Sequence, residues 1–235
     1  MNTFASFTHK LQILSNYLND YHFIFSSNSI NTKELILLKN LTCSIQTDNA
    51  SLILSAYEQG FERDDLYFPV QNKTLEEICL VYGKCRFILG TLEELHLINE
   101  LAKNRNASGF LESIALSISL GNNLDSSNAF CESNLSILSK TLRSMDAIAV
   151  RGVFFLTETT SYSQSASAMK EAYEKVKFLT SLLPCRITYF NLGNYIDLLS
   201  TASSDPSSEA LSCMERANLV SFLNSTSLYS RLLIS

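Results

Sequence analysis

Between Phe23 and Lys73 the sequence reads FIFSSN, then ELILLKN, a brief CSI, NASLILSAYEQGF and finally DLYFPVQNK. Short apolar, β-branched runs alternate there with longer stretches of helical spacing. The order is strand, helix, strand, helix, strand, the spacing of linked βαβ units. A chain built this way is committed to a parallel sheet with helices packed on it.

The rhythm extends along the chain. Phe7, Leu11, Leu14 and Leu18 fall at helical spacing within residues 4–18, a short amphipathic helix. Tyr21–Phe25 reads as a strand ended by Ser26-Ser27-Asn28, and Thr32 opens a buried helix. Cys43–Ile45 is a brief strand, and Asn49–Gln59 a helix closed by Gly60. Leu66–Phe68 is a third strand stopped by Pro69. Thr74-Leu-Glu-Glu77 and Thr91-Leu-Glu-Glu94 are capping boxes that flank a fourth strand, Arg86–Leu89, and open helices through Tyr82 and Ala102.

Strands follow at Ser113–Leu120, Ala147–Phe155, Arg186–Phe190 and Leu228–Ile234. Helical segments at Ser133–Arg143, Ser165–Leu183 and Glu209–Leu223 separate them. Eight strands with helices between them fit a closed (β/α)8 TIM-type barrel better than an open sheet. No linker or internal repeat divides the sequence, so residues 1–235 read as one domain.

Bulk properties exclude several classes of function. A net charge of −5 leaves no basic surface to track phosphates, which argues against a nucleic-acid partner. The six cysteines (43, 79, 85, 131, 185 and 213) form no CxxC pair, and His9, His22 and His96 are scattered, so no metal site is expected. Three of the cysteines lie in apolar strand-like runs and read as buried thiols. No apolar run approaches the ~20 residues of a membrane span, and the N-terminus carries no signal-peptide pattern, so the expected location is the cytoplasm.

In a barrel of this kind chemistry belongs at the C-terminal ends of the strands. Those ends carry Ser26-Ser27-Asn28, Thr47-Asp48, Gln71-Asn72-Lys73, Gly90-Thr91, Gly121-Asn122-Asn123, Thr157-Glu158 and Asn191-Leu192-Gly193-Asn194. Their only ionisable members are Asp48, Lys73 and Glu158, thin material for acid–base or nucleophilic catalysis. Lys73 is the candidate amine, or a lysine solvated ahead of a helix. Glu158 is a candidate acid or a hydrated loop carboxylate. Gly193 would let a backbone N–H approach a phosphate, or simply makes a turn.

The order of segments resembles the barrel domain of fold-type III pyridoxal-phosphate enzymes, the ornithine/diaminopimelate/arginine decarboxylase group. EQGFERDDLYFPVQNKTLEEI resembles that family's Gly-Phe, strand, Asn-x-Lys segment, and FILGTLEEL its Asp-Ser-x-x-Glu-Leu. VRGVFFL resembles the strand ending in His-x-Gly-Ser, and TYFNLGN the Leu-Asp-x-Gly-Gly-Gly segment. The resemblance implies a cofactor, pyridoxal phosphate, held by a lysine at the end of the first strand.

At the functional positions this sequence departs from the family. Ser26 stands at the lysine, with Asn28 retained. The family's acid after the second strand, beside the cofactor, falls near Ser44, and the helix-start glutamate near Ala50. The arginine of the fifth strand falls at Ser117, the ring-stacking histidine at Leu156, and the next Gly-Ser at Glu158-Thr159. The triple glycine of the phosphate loop is Gly193-Asn194-Tyr195. The family's second, β-rich domain has no counterpart in this sequence.

A hydroxyl forms no Schiff base with an aldehyde, so Ser26 offers the cofactor no anchor. These departures imply a catalytically degenerate barrel, a pseudoenzyme acting through a protein partner or a small ligand in a remodelled mouth. The partner would be a second copy or an active decarboxylase. The alternative is a pyridoxal-phosphate-binding single barrel, or a decarboxylase-related enzyme, with Lys73 or Lys33 as anchor. Asn28, Gly193, Asn194 and Tyr195 would line its degenerate pocket.

Overall fold

The computed structural model describes residues 22–106, 109–119, 129–156, 187–191 and 231–234, with isolated helical positions at 174, 178 and 181. Its strands are β1 (His22–Ser26), β2 (Ser44–Gln46), β3 (Leu66–Pro69), β4 (Arg86–Leu89), β5 (Glu112–Ser119), β6 (Ile148–Leu156), β7 (Tyr189–Asn191) and β8 (Arg231–Ile234). The helices are α1 (Thr32–Asn40), α2 (Ala50–Glu58), α3 (Leu75–Val81), α4 (Leu92–Arg105) and α5 (Leu135–Arg143). Every strand pairs in parallel with the next, and β8 returns to β1 through His22↔Leu233 and Phe23↔Ile234. The result is an α/β fold with a curled parallel sheet.

Most sequence expectations agree with these elements to within a residue or two. Pro69 ends β3 rather than lying beyond it. The seventh strand covers Tyr189–Asn191, preceded by Thr188, which donates its N–H and hydroxyl to the Arg151 carbonyl; Arg186, where the expected strand opens, lies outside the described residues. The helix expected at 4–18, that at 209–223 and most of 165–183 lie outside the described residues.

Side-chain caps fix where the helices start. Thr74 Oγ1 accepts from Glu77 N while Glu77 Oε2 accepts from Thr74 N, and Thr91 and Glu94 repeat the arrangement. A third box lies one residue ahead of the expected opener Thr32, with Asn31 accepting from Lys33 N and Glu34 N at 3.0 and 3.1 Å. Each such cap is worth about 1 kcal/mol. Past α2, Gly60 sits at φ +83°, in the left-handed region that glycine enters freely.

Strand alternation sorts the core into two layers. Phe23, Phe25, Ile45, Phe68, Phe87 and Leu89 face the helices and pack with Leu35, Leu38, Ile53 and Leu95. Ile24, Tyr67, Ile88, Ala115, Phe154 and Tyr189 point inward and form a separate buried cluster. The Tyr67 ring stands 5.2 Å from Phe154 and 5.7 Å from Tyr189, so aromatic rings fill the interior. Gly152 pairs with Tyr189 across β6 and β7, and a Cβ there would overlap the Tyr189 ring.

Cys43 and Cys85 are buried thiols. Burial pushes Cys43 up to about 12 and also raises Cys85, so both are poor nucleophiles.

Candidate functional site

The inward positions of β1, β2 and β3 that follow Ile24 and Tyr67 are Ser26, Gln46 and Pro69. With the loops after them, they enclose a cleft of ≈ 470 Å³ at the C-terminal edge of the sheet. Its walls are Ser26–Asn28, Gln46–Asp48 and Pro69 with Gln71–Lys73. The sequence placed Ser26, Asn28 and Lys73 among the candidates, and the fold brings all three together. Gln46 and Pro69 were missed; counting in twos along each strand from the interior aliphatics finds them.

Asn28 is a clamp. Its Oδ1 accepts from the Thr47 hydroxyl at 3.0 Å and from Asp48 N at 3.1 Å, while Asn49 Nδ2 donates to its carbonyl at 3.2 Å. Thr47 Oγ1 also accepts from Asn49 N. The first two rim loops are thereby tied to each other.

Lys73 lies on a turn where Asn72 adopts φ +57° and Lys73 N donates to the Val70 carbonyl at 3.1 Å. Its side chain is 16% exposed, its Nζ 6.0 Å from the Phe68 ring centre and 3.7 Å from Asp48 Oδ2. Asp48 is 51% exposed. The pair is close enough to attract and too long for a hydrogen bond. At the end of β4, Glu94 accepts from Gly90 N at 2.7 Å. Burial pushes the Glu94 carboxyl above its ordinary range despite that bond.

The other family positions divide. Ser117 is buried inside β5 opposite Phe154, and Leu156 ends β6 with 40% of its surface exposed. Both share the inward parity of Ala115 and Phe154 and so reach the same edge as Ser26. Ser119, two residues further along β5, is buried with no hydrogen-bond partner for its hydroxyl among the described residues. Ala50 is the first residue of α2 and is buried. Ser44 corrects an expectation: it opens β2, and its hydroxyl meets His22 Nε2 at 2.6 Å at the opposite edge of the sheet. Lys33 is exposed in the first turn of α1 and does not line the cleft. Glu158, Thr159, Gly193, Asn194 and Tyr195 lie outside the described residues.

The N-terminal edge, the base, holds the charges. Arg86 Nε donates to Asp64 at 2.9 Å, and its guanidinium lies 4.5 Å from the Tyr189 ring centre. Arg63 pairs with the buried Glu112 and donates from Nε to the Cys85 carbonyl at 3.3 Å. Burial holds the Glu112 carboxyl above its usual range, and the Arg63 cation opposes that shift. His22, Ser44 and Asp65 meet here too, but Ser44 and Asp65 both approach His22 Nε2, at 2.6 and 3.5 Å. A hydrolytic triad needs the carboxylate on the other ring nitrogen, so this trio is structural. Among the described residues there is no group of three or more metal-ligating side chains, and no helix is long and apolar enough to cross a membrane.

No protein-family model matches the sequence. No curated protein matches it either. Solved structures do. Diaminopimelate decarboxylase from Helicobacter pylori, complexed with L-lysine, superposes with a TM-score of 0.73 at 13% identity over 99% of this chain and 61% of its own. The arginine decarboxylase of Paramecium bursaria Chlorella virus, bound to agmatine, gives 0.72 at 12% identity over 97% of this chain and 61% of its own. A mutant of SrLDC in complex with PLP gives 0.70 at 12% identity over 99% and 60%. The chain therefore has the fold of a fold-type III decarboxylase-like domain and spans about three fifths of these proteins.

Pyridoxal phosphate, the group this fold implies, fits the described mouth poorly. Ser26 brings a hydroxyl to the end of β1, Leu156 an alkyl chain to the end of β6, and Pro69 is the one apolar residue among those lining the cleft. Among the described residues, the mouth supplies hydrogen bonding and one loosely paired cation, Lys73.

Proposed function

We propose that this chain is a (β/α)8 barrel, one domain over residues 1–235, that works by binding rather than by catalysis. It is a degenerate relative of the ornithine/diaminopimelate/arginine decarboxylases. The observation that carries the reading is the convergence of Ser26, Ser117 and Leu156 on one mouth. Hydroxyls and an alkyl group stand there where the family places an amine, a guanidinium and an imidazole. The barrel would act in the cytoplasm, holding a small ligand in this mouth or joining a second copy or an active decarboxylase.

A second reading has its own support in Lys73, the amine that reaches the cleft. There Lys73 would anchor pyridoxal phosphate in place of the missing lysine.

One experiment separates the two. The purified protein is mixed with pyridoxal phosphate, scanned for a visible band, reduced with borohydride and mapped by mass. No band and no labelled lysine, in a protein folded by circular dichroism and inert toward ornithine, arginine and diaminopimelate, is the expected result. A stoichiometric label on Lys73, lost in Lys73→Ala, would establish the second reading instead.

A further inference from the structure

We infer that the cleft between the ends of β1, β2 and β3 binds a small hydroxylated carboxylate, with the carboxylate on Lys73 and hydroxyls on Ser26, Gln46, Gln71 and Asp48. The inference rests on the binding reading and gives it a ligand class.

Lys73 supplies the charge. Its side chain is mostly covered, at 16% exposure, and its backbone is fixed to Val70, yet Asp48 stands 3.7 Å away, beyond hydrogen-bond reach. None of its ammonium N–H groups is hydrogen-bonded to a described residue. An incoming carboxylate gains charge-assisted bonds of the stronger kind at a group already held in place.

The walls supply the rest. Ser26, Gln46 and Gln71 line the cleft, and their side chains make no hydrogen bond to another described residue. Ser26 and Gln46 are register partners on neighbouring strands, so hydroxyl and amide stand side by side. Each can both donate and accept, which matches alcohols rather than a uniformly donating or accepting surface. Pro69 is the one apolar lining residue, so a flat aromatic ring finds little to stack on. The volume of ≈ 470 Å³ falls within the range of small-molecule sites, roughly 300–1,000 Å³.

Asp48 sets the selectivity. It sits beside the ammonium and repels a bare carboxylate, but accepts hydrogen bonds from hydroxyls on the neighbouring carbons. A fatty acid meets the repulsion without compensation, and a sugar alcohol lacks the anion for Lys73. A molecule with both groups satisfies both residues.

Calorimetric titration with D-gluconate and D-glucuronate tests this, against hexanoate, which has no hydroxyls, and sorbitol, which has no charge. Saturable binding of a sugar acid is expected, with hexanoate and sorbitol at least tenfold weaker. Lys73→Gln should weaken sugar-acid binding tenfold or more. Asp48→Asn should narrow the gap between gluconate and hexanoate and serves as the second variant if Lys73→Gln is misfolded. Silence from both sugar acids, or unchanged affinity in a folded Lys73→Gln protein, overturns the inference. A cofactor label on a lysine would overturn the binding reading as well, whereas silence without a label removes the ligand class alone.

Discussion

The two edges of the curled sheet are built from opposite materials. At the base, Arg86 holds Asp64, Arg63 holds Glu112, and His22, Ser44 and Asp65 meet at one nitrogen. At the mouth, the described hydroxyls and amides surround the long Lys73–Asp48 ion pair. Both edges belong to the same strands, which run only three to nine residues. Removing one member of a buried charge pair strands the other in low dielectric, so the base tolerates little change. Changing an exposed hydroxyl strands nothing. A fold of this kind can lose the chemistry of one edge while the other holds the strands in register.

The contrast breaks most readily at Arg63. Arg63→Met leaves Glu112, 1% exposed, without its cation; urea unfolding should show a loss of about 3–5 kcal/mol. The loss depends on pH in a defined direction. Glu112 already binds its proton more tightly folded than unfolded. That contribution is full below the unfolded carboxyl value of about 4.3 and fades as pH rises through the folded value. Without Arg63 the folded value rises further, so the variant should be least impaired near pH 4 and most impaired toward pH 8. A penalty that is flat across that range would show that Glu112 is solvated.

Gly152→Ala probes the layer between the two edges. The new methyl would overlap the Tyr189 ring, and a loss of about 1–3 kcal/mol is expected by thermal unfolding. Tyr189→Leu in the same chain should recover part of it. If Gly152→Ala is neutral, the interior is looser than the ring packing implies.

The smallest effect belongs to the mouth. Ser26→Ala should change stability by less than about 0.5 kcal/mol, because Ser26 is exposed and its side chain bonds to no described residue. A cost comparable to that of Arg63→Met would erase the distinction between the edges.

How much of this the sequence disclosed depends on the range of the interaction. The βαβ rhythm and the Thr74 and Thr91 capping boxes are local, and they were legible. The box at Asn31 was missed because Thr32, next to it, is itself a good opener, although Asn31-x-x-Glu34 carries the signal. The charged base was invisible: Arg63 and Glu112 lie 49 residues apart, and Arg86 and Asp64 lie 22 apart. No periodicity encodes which two distant charges the sheet will bring together. Ser44 was assigned to the mouth because a strand of three residues has both ends within one step of any alignment. The mouth positions Ser26 and Lys73 were found because strand ends are marked locally by turn residues.

The pairing of β8 with β1 bears on how such a chain is made. A ribosome delivers β1 first, and β2 soon covers one of its sides. Among the described strands, the backbone N–H and C=O groups on its other side meet their partner only when residues 231–234 emerge. Until then the nascent chain presents an open edge on the strand that carries Phe23 and Phe25, the kind of surface on which stray strands dock and chaperones act.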